Sequence, residues 1–559
     1  MQAINWKILF RDYFLGSIVS SLLLCSPLAH AETPPDAGTT LRDVVPDTHA
    51  LPRSDPTLTI PDAMQQEATD TTPFSISRFQ IEGARLVSEA VLQALIRDVI
   101  GDARTLKDIN QAADRITAYY RDHGFPLARA YLPPQELNNG TVLIHVLEGK
   151  LGGTTLDNRS HLNTAKADAI AQHISIGEPL RVAQVNRAIL LLRDTPGVGD
   201  VEASLAAGKK PGETELKLAL TPAPLINGRL EADNHGSLFT GRYRAGGTVN
   251  LDSFLGYGER ISVQILASDE ALYYGRLSAQ IPVGSEGLNF GLNVSHVRYE
   301  LGDIFSKLDA TGRVDSGEIT LAYPFVRDLP FNLTGQASLR YSDLKDEIGA
   351  TSTVVDKTMK KATFALVMNS SDGWLGGGFN QAYAGLSAGN LFIDTASARA
   401  LDAVRAKTNG GYGILNLEVS RLQFVTERIS LWLSGKAQLA TKNLDSSEKF
   451  FLGGPYAIRA YPVGEGSGDE GWMTTAEARY AFIPNLYGSV FYDAGAIQVN
   501  RDAFLATSNY RHLSGAGIGF GGSHRVLDWR TSIAWRNSGE PVSEKDKSPR
   551  IWLQGSMRF

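Results

Sequence analysis

From about residue 223 to the end of the chain, apolar and polar residues alternate with period two, in short runs separated by Gly, Asp, Asn and Ser. After residue 31 no stretch offers 18 uninterrupted apolar residues, so any passage through a membrane must use strands rather than helices. Tyr243, Ala245, Gly247, Val249 and Leu251 share one face of a run whose other face carries Arg242, Arg244, Thr248 and Asn250. Ile261, Val263 and Ile265 alternate with Ser262 and Gln264, and Leu277, Ala279 and Ile281 with Arg276, Ser278 and Gln280. Leu288, Phe290, Leu292 and Val294 alternate with Asn289, Asn293 and Ser295. Antiparallel strands of this kind fit a sandwich, which buries the apolar face, or a membrane barrel, which turns it to lipid and keeps the polar face in the lumen. In hydrocarbon every backbone N–H and C=O needs a partner, and only a closed sheet has no unpaired edge. Allowing roughly 20 residues for a strand and its connection, residues 223–559 yield about 16 strands, an even number as bacterial barrels prefer. The expected fold class is an all-β transmembrane barrel preceded by two small α+β domains.

Composition removes other classes. Fifty-four basic against 60 acidic residues give a formal charge of −6, so there is no basic footprint for nucleic acid. Lys7 and Arg11 precede an apolar run from Tyr13 to Leu28, and Ala29-His30-Ala31 places small residues where a signal peptidase reads them. Residues 1–31 therefore read as an export signal, with Glu32 as the first residue of the periplasmic chain. The single cysteine, Cys25, lies inside that signal, so the processed chain has no thiol for a disulfide, a zinc site or a nucleophile. No HExxH, GxSxG or P-loop motif occurs, and the ten histidines lack ligand spacing. Catalytic residues, cofactors and metals are not expected, and the chain does not read as an enzyme.

Residues 32–72 are polar and proline-studded and read as a linker or plug segment with one short helix near 62–68. Residues 73–149 and 150–222 each run strand, helix, helix, strand, strand. Phe74–Glu82 alternates as a strand; Ser88 is placed to cap a helix carrying Val91, Leu92, Leu95, Ile96 and Val99; a second helix, 106–123, places Ile109, Ala112, Ala113, Ile116 and Tyr120 on one face. Strands over 128–132 and 141–148 complete the unit. The second copy has a strand at 150–156, helices at 164–174 and 181–193, and a hairpin at 201–206 and 213–221. This order, with Gly124-Phe125-Pro126 after the second helix, resembles the POTRA domain.

The strongest local signal is a loop. Residues 451–471 gather many glycines around one arginine and two tyrosines, a composition suited to a backbone folded tightly into a confined space. The segment resembles the loop of the Omp85 superfamily that folds back inside the barrel, whose Val/Ile-Arg-Gly-Tyr tetrad corresponds to Ile458-Arg459-Ala460-Tyr461, with alanine replacing glycine. The superfamily's aromatic–x–Asp–x–Gly strand corresponds to Phe491-Tyr492-Asp493-Ala494-Gly495. Alternation turns Phe491 and Asp493 to one face and Val490 and Tyr492 to the other. A guanidinium inside a barrel needs an anionic, preferably bidentate, partner; Asp493 is the first choice and Glu477 the second. Such a pair would position the loop by about a few kcal/mol. At the C-terminus Ile551, Leu553, Gly555, Met557 and Phe559 share a face. Leu553, Met557 and the terminal aromatic Phe559 look like the signal that outer-membrane barrels present to their assembly machinery.

Ala232-Asp233-Asn234 and Gly236, then Thr240-Gly241-Arg242 and Arg244, are similar to the entry strands of two-partner secretion transporters, as are Tyr273-Tyr274 and Ile281-Pro282-Val283-Gly284. Export signal, two POTRA-like modules and barrel follow the order of the ShlB/FhaC/HecB family. The resemblance implies an outer-membrane translocator whose POTRA domains, in the periplasm, capture an unfolded exoprotein for export through the barrel, with activation of a haemolysin as a further role. Implied partners are that secreted client, outer-membrane lipid and the barrel-assembly machinery, with the transporter a monomer and no nucleic acid involved. Family members often begin with a helix that plugs the barrel. The alternative is an Omp85-type insertase, which should carry more than two POTRA modules. A passive porin leaves the periplasmic modules without purpose. An adhesin or receptor needs large extracellular loops, and the longest candidates, 342–361 and 396–410, are modest.

Overall fold

Sixteen antiparallel strands close on themselves, running in chain order from Ile226–Asp233 to Arg550–Arg558. The computed structural model describes residues 34–44, 73–136, 139–210, 212–506, 508–544 and 548–559; the export signal and the candidate helix at 62–68 lie outside these. The last strand pairs with the first from Gln554↔Asp233 to Arg558↔Arg229, the step that removes both sheet edges. Among the described residues no helix is long and apolar enough to cross a membrane.

The period-two pattern sorts side chains as the closed sheet requires. Val263, Leu277, Leu339, Phe364, Leu386 and Val419 point outward and are exposed. Their neighbours point into the lumen, where Asn250, Ser262, Ser278 and Asn293 align directly across four strands and Ser262 donates to Asn250 Oδ1 at 2.7 Å. At the far end of this row Asn293 Oδ1 accepts from Arg276 at 2.8 Å, so hydroxyls and amides are mixed with a guanidinium on the inward face.

One expectation for the barrel fails in an instructive way. Residues 342–361 are mostly strand, belonging to Phe331–Ile348 and Thr353–Asp372, which pair along their length. These strands project past the apolar band, where neither face needs to be greasy, so paired backbone there reads as polar loop. Residues 396–410 do form a connection, between Gly378–Ile393 and Gly410–Phe424, and it carries a helix, Ala396–Val404.

In the first module, Phe74–Glu82 divides into Phe74–Ile76 and Arg78–Glu82. The first piece pairs with Gly101–Arg104, a strand too short to show in the pattern. Arg78–Glu82 lies parallel to the central strand Thr141–Leu147, with Arg129–Tyr131 on its other side. Ser88 stands at the N-cap of the helix Glu89–Ile96, but its side chain makes no cap bond; its carbonyl accepts from the amides of Val91 and Leu92 instead. Val91 is exposed and leaves Leu92, Ile96 and Val99 to fill the core. The longer helix Leu106–Asp122 carries a full capping box between Thr105 and Asp108 and buries all five residues of the expected face. Hydrogen bonds to Thr105 hold the Asp108 carboxyl below the usual carboxylate range. The second module stacks helices Thr164–Ala171 and Val182–Asp194 on a sheet ordered Lys150–Asn158, Glu213–Pro222, Val198–Ala207.

That second module grips one end of the barrel. Arg327 meets Asp194 in a two-bonded pair at 2.6 and 2.8 Å, Lys166 Nζ donates to the Pro282 carbonyl at 2.6 Å, and Arg187 donates to the Pro324 carbonyl at 3.1 Å. These contacts mark the turns at that end as the ones facing the modules.

The opposite half of the lumen holds a helix, Ala37–Val44, absent from the sequence reading of residues 32–72. It buries Ala37, Leu41 and Val44 against Tyr299, Leu344 and Met359 of the barrel wall. Asp36 caps it by accepting from the Thr39 amide, and Lys357 Nζ lies 3.5 Å from Asp36 and 2.8 Å from Asp445. Eight residues with two threonines and a glycine would not hold a helix in water; packing against the lumen wall stabilises it.

Alternation of lipid and lumen along a single strand is directly testable. Leu339→Arg, on the lipid face, should lower barrel stability by about 2–4 kcal/mol in equilibrium unfolding from vesicles, whereas Gln336→Arg, three residues earlier and lining the lumen cavity, should change it far less.

Candidate functional site in the barrel lumen

The connection from Ile429–Ala440 to Glu470–Ile483 does not arch outward. It turns back into the lumen, and its two limbs pair briefly at Phe450–Phe451 and Ser467–Gly468. Leu452, Ile458, Ala460 and Tyr461 form a small dry core with Phe491, Ile497 and Leu513 of the wall. Glycines on the wall make the space. A Cβ at Gly495 would overlap Leu452, one at Gly515 would overlap the Ala460 methyl, and one at Gly517 would overlap the Phe491 ring. Alanine at the third tetrad position is thus matched by glycine on the strand it faces.

Arg459 sits at the centre and is 4% exposed. Its Nε and Nη2 donate to the two oxygens of Asp493, each at 2.9 Å, and its backbone N–H donates to the same carboxylate at 3.1 Å. Nη1 donates to Glu477 Oε2 at 2.6 Å, so both carboxylates weighed from the sequence reach the same guanidinium. The cation also lies 3.2 Å from the centre of the Phe491 ring. Thr475 donates to Asp493 at 2.9 Å and Arg479 Nε to the outer oxygen of Glu477 at 2.8 Å. Buried charge is tolerable here because each group is satisfied several times over.

Partners that the sequence did not single out extend the attachment. Trp552 of the last strand donates from Nε1 to the Arg459 carbonyl at 2.7 Å, and Tyr461 donates its hydroxyl to the Ser538 carbonyl. Glu465, fully buried, accepts from the amides of Val542 and Ser543 at 3.1 and 2.8 Å and pairs with Arg511. Arg479 was within reach of inference, since it sits two residues from Glu477 on the same inward face. Trp552 was not, because alternation reports its face and says nothing of what lies opposite. On the last strand Ile551, Leu553, Met557 and Phe559 point outward and exposed, and Trp552 inward.

The loop and the helix Ala37–Val44 meet inside the lumen. Arg42 lies 4.0 Å over the Phe451 ring, and Gly38 lies so close to the chain at 446–447 that a Cβ would overlap the Ser447 backbone nitrogen. Below them opens a cavity of about 640 Å³ lined by Gln336, Asn369, Ser420, Ser434, Lys436 and Arg479 among others.

A closed sixteen-strand barrel with periplasm-type modules at one end and an arginine-latched loop inside defines a class, the barrel transporters of the bacterial outer membrane. Comparison with known proteins narrows it. The sequence model for haemolysin secretion/activation protein ShlB/FhaC/HecB matches residues 212–522, more than half the chain, and that for the ShlB-type POTRA domain matches residues 74–149. The chain belongs to the ShlB/FhaC/HecB family and is an outer-membrane translocator of the two-partner secretion type, with its POTRA region in the periplasm. The heme/hemopexin transporter protein HuxB of Haemophilus influenzae strain 86-028NP is 27% identical over 413 residues, 72% of each chain. The outer membrane transporter CdiB of Dickeya dadantii strain 3937 is 23% identical over 496 residues, 86% of this chain and 84% of that one. Among solved structures, CdiB from Escherichia coli superposes with a TM-score of 0.70 at 17% identity, covering 89% of this chain and 93% of that one. BamA from Haemophilus ducreyi lacking POTRA domains 1–3 gives 0.50 at 14% identity, covering 87% and 100%.

The two carboxylates around Arg459 should not be equivalent. Asp493→Ala strands three donors of the loop, and hydrogen exchange over residues 450–470 should show local opening easier by about 3–5 kcal/mol. Glu477→Ala takes the partner of only one loop donor, the carboxylate's other donor being Arg479 of the wall, and should cost the loop clearly less.

Proposed function

We propose that the two periplasmic modules receive an extended segment of the unfolded client by strand addition, and that the client leaves through the lumen past the loop held by Arg459. The first module ends in edge strands Arg78–Glu82 and Arg129–Tyr131, the second in Lys150–Asn158 and Val198–Ala207. An edge strand reads backbone more than sequence, which suits a chain that has not yet folded. The row of hydroxyls and amides at Asn250, Ser262, Ser278 and Asn293 continues the path, offering hydrogen bonds that exchange readily with a passing backbone. Folding of the client outside, by stacking successive coils, biases movement outward without ATP.

The observation that carries this reading is the satisfaction of Arg459 by Asp493 and Glu477. It is a built attachment, and its place is inside the route rather than on the rim. Among clients, a secreted haem- or hemopexin-binding protein is the first to test, because the relative at 27% identity is named for that cargo. Activation of the cargo, as the family description allows, belongs to the same proposal. So do recognition of Leu553, Met557 and Phe559 by the assembly machinery and the absence of any catalytic role. The insertase alternative has only the fold likeness to BamA on its side.

Arg459→Ala should leave the barrel inserted and heat-modifiable on gels while secretion of the client falls at least about tenfold, equivalent to some 1.4 kcal/mol; unaltered secretion would remove the loop from the mechanism. Deleting residues 74–149 should abolish client capture in a pull-down, and full retention of binding would count against strand addition at the first module.

A further inference from the structure

Two turns at the module-facing end of the barrel carry apolar side chains beyond the strand ends. One joins Arg244–Asp252 to Arg260–Ser268 and presents Phe254, Leu255 and Tyr257; the other, between Thr353–Asp372 and Gly378–Ile393, presents Trp374 and Leu375. All five side chains are more than half exposed. Six strands separate the two turns around a ring of sixteen, so they stand nearly across the barrel from one another.

The backbone of each turn is closed off from within. In the first, the carboxylate of Glu259, itself 6% exposed, accepts from the amides of Leu255 and Tyr257, and Ser253 Oγ accepts from the Gly258 amide at 3.2 Å. In the second, the Gln423 side-chain amide faces the carbonyls of Trp374, Leu375 and Gly377 at 2.9–3.1 Å. A turn in water can be closed in this way, as Glu148 closes the amides of Arg85 and Leu86, or left to solvent. A turn entering a poorly hydrated layer must bring its own partners. The apolar tips also continue the outward girdle at this end, where Val283, Phe325 and Phe331 are exposed on neighbouring strands.

We propose that these two turns seat in the periplasmic leaflet of the outer membrane, with phospholipid as their partner, and that the first of them ties the second POTRA module to that leaflet. The tie is a direct one: the Asn163 amide donates to the Gly256 carbonyl at 2.8 Å and Ser253 Oγ donates to the His161 carbonyl at 3.2 Å. Lipid on one side of the turn and the module on the other fix the angle at which the periplasmic region leaves the membrane.

The test uses the full chain with Cys25→Ser, reconstituted in phosphatidylethanolamine–phosphatidylglycerol vesicles, carrying one nitroxide at Leu255→Cys, Phe254→Cys or Leu375→Cys. Val263→Cys on the lipid face and Lys210→Cys, exposed on the second module, serve as references, and gel mobility confirms the folded barrel. Accessibility to oxygen relative to a water-soluble nickel chelate should rise at all three turn positions to the range of Val263. Ratios nearer that of Lys210 would overturn the proposal, because the tips would then lie in water.

Discussion

Everything in this molecule follows from the need to pair every backbone amide in a medium that offers none in return. The last strand closing on the first meets that need and sets the rest of the design. Closure divides each strand into a greasy face and a wet face, and the wet face encloses a space too large for wall side chains alone to fill. The space is occupied by two pieces of the same chain, the loop latched through Arg459 and the helix Ala37–Val44. Neither is a stable unit by itself; each takes its shape from the wall.

Both pieces are held by charge and packing together, but only the loop centres on a buried cation. A guanidinium held by two carboxylates from adjacent strands is geometrically exacting, and breaking it leaves buried ions behind. The helix rests on Leu41 and Val44, a cap at Asp36 and Lys357 nearby. The loop therefore has the more exacting attachment of the two. Their contact at Arg42 and Phe451 and at Gly38 links one to the other.

Much of this was legible in the residues, because alternation is enforced by the solvent on each side. Val263 and Ser262 could be assigned to opposite faces without any knowledge of their neighbours. The residues around Arg459 were legible for a different reason: the tetrad at 458–461 and the strand at 491–495 resemble the superfamily's motifs, and a guanidinium inside a barrel demands an acid. The helix Ala37–Val44 was hidden because its stability comes from the barrel rather than from its own residues. The strand extensions in 342–361 were hidden because, outside the membrane, nothing forces one face to be apolar. Gly101–Arg104 was too short for any pattern. Contacts such as Trp552 with the Arg459 carbonyl depend on how far a loop folds back, which no local signal encodes.

The central claim is that the exported chain travels inside the cylinder, on its wet side. A photoreactive residue at Gln336, facing the lumen, and another at Leu339, facing lipid on the same strand, compare the two routes in cells secreting the transporter's exoprotein. The account predicts that illumination joins the exoprotein to position 336 and not to position 339. Adducts at 339 with none at 336 would contradict it.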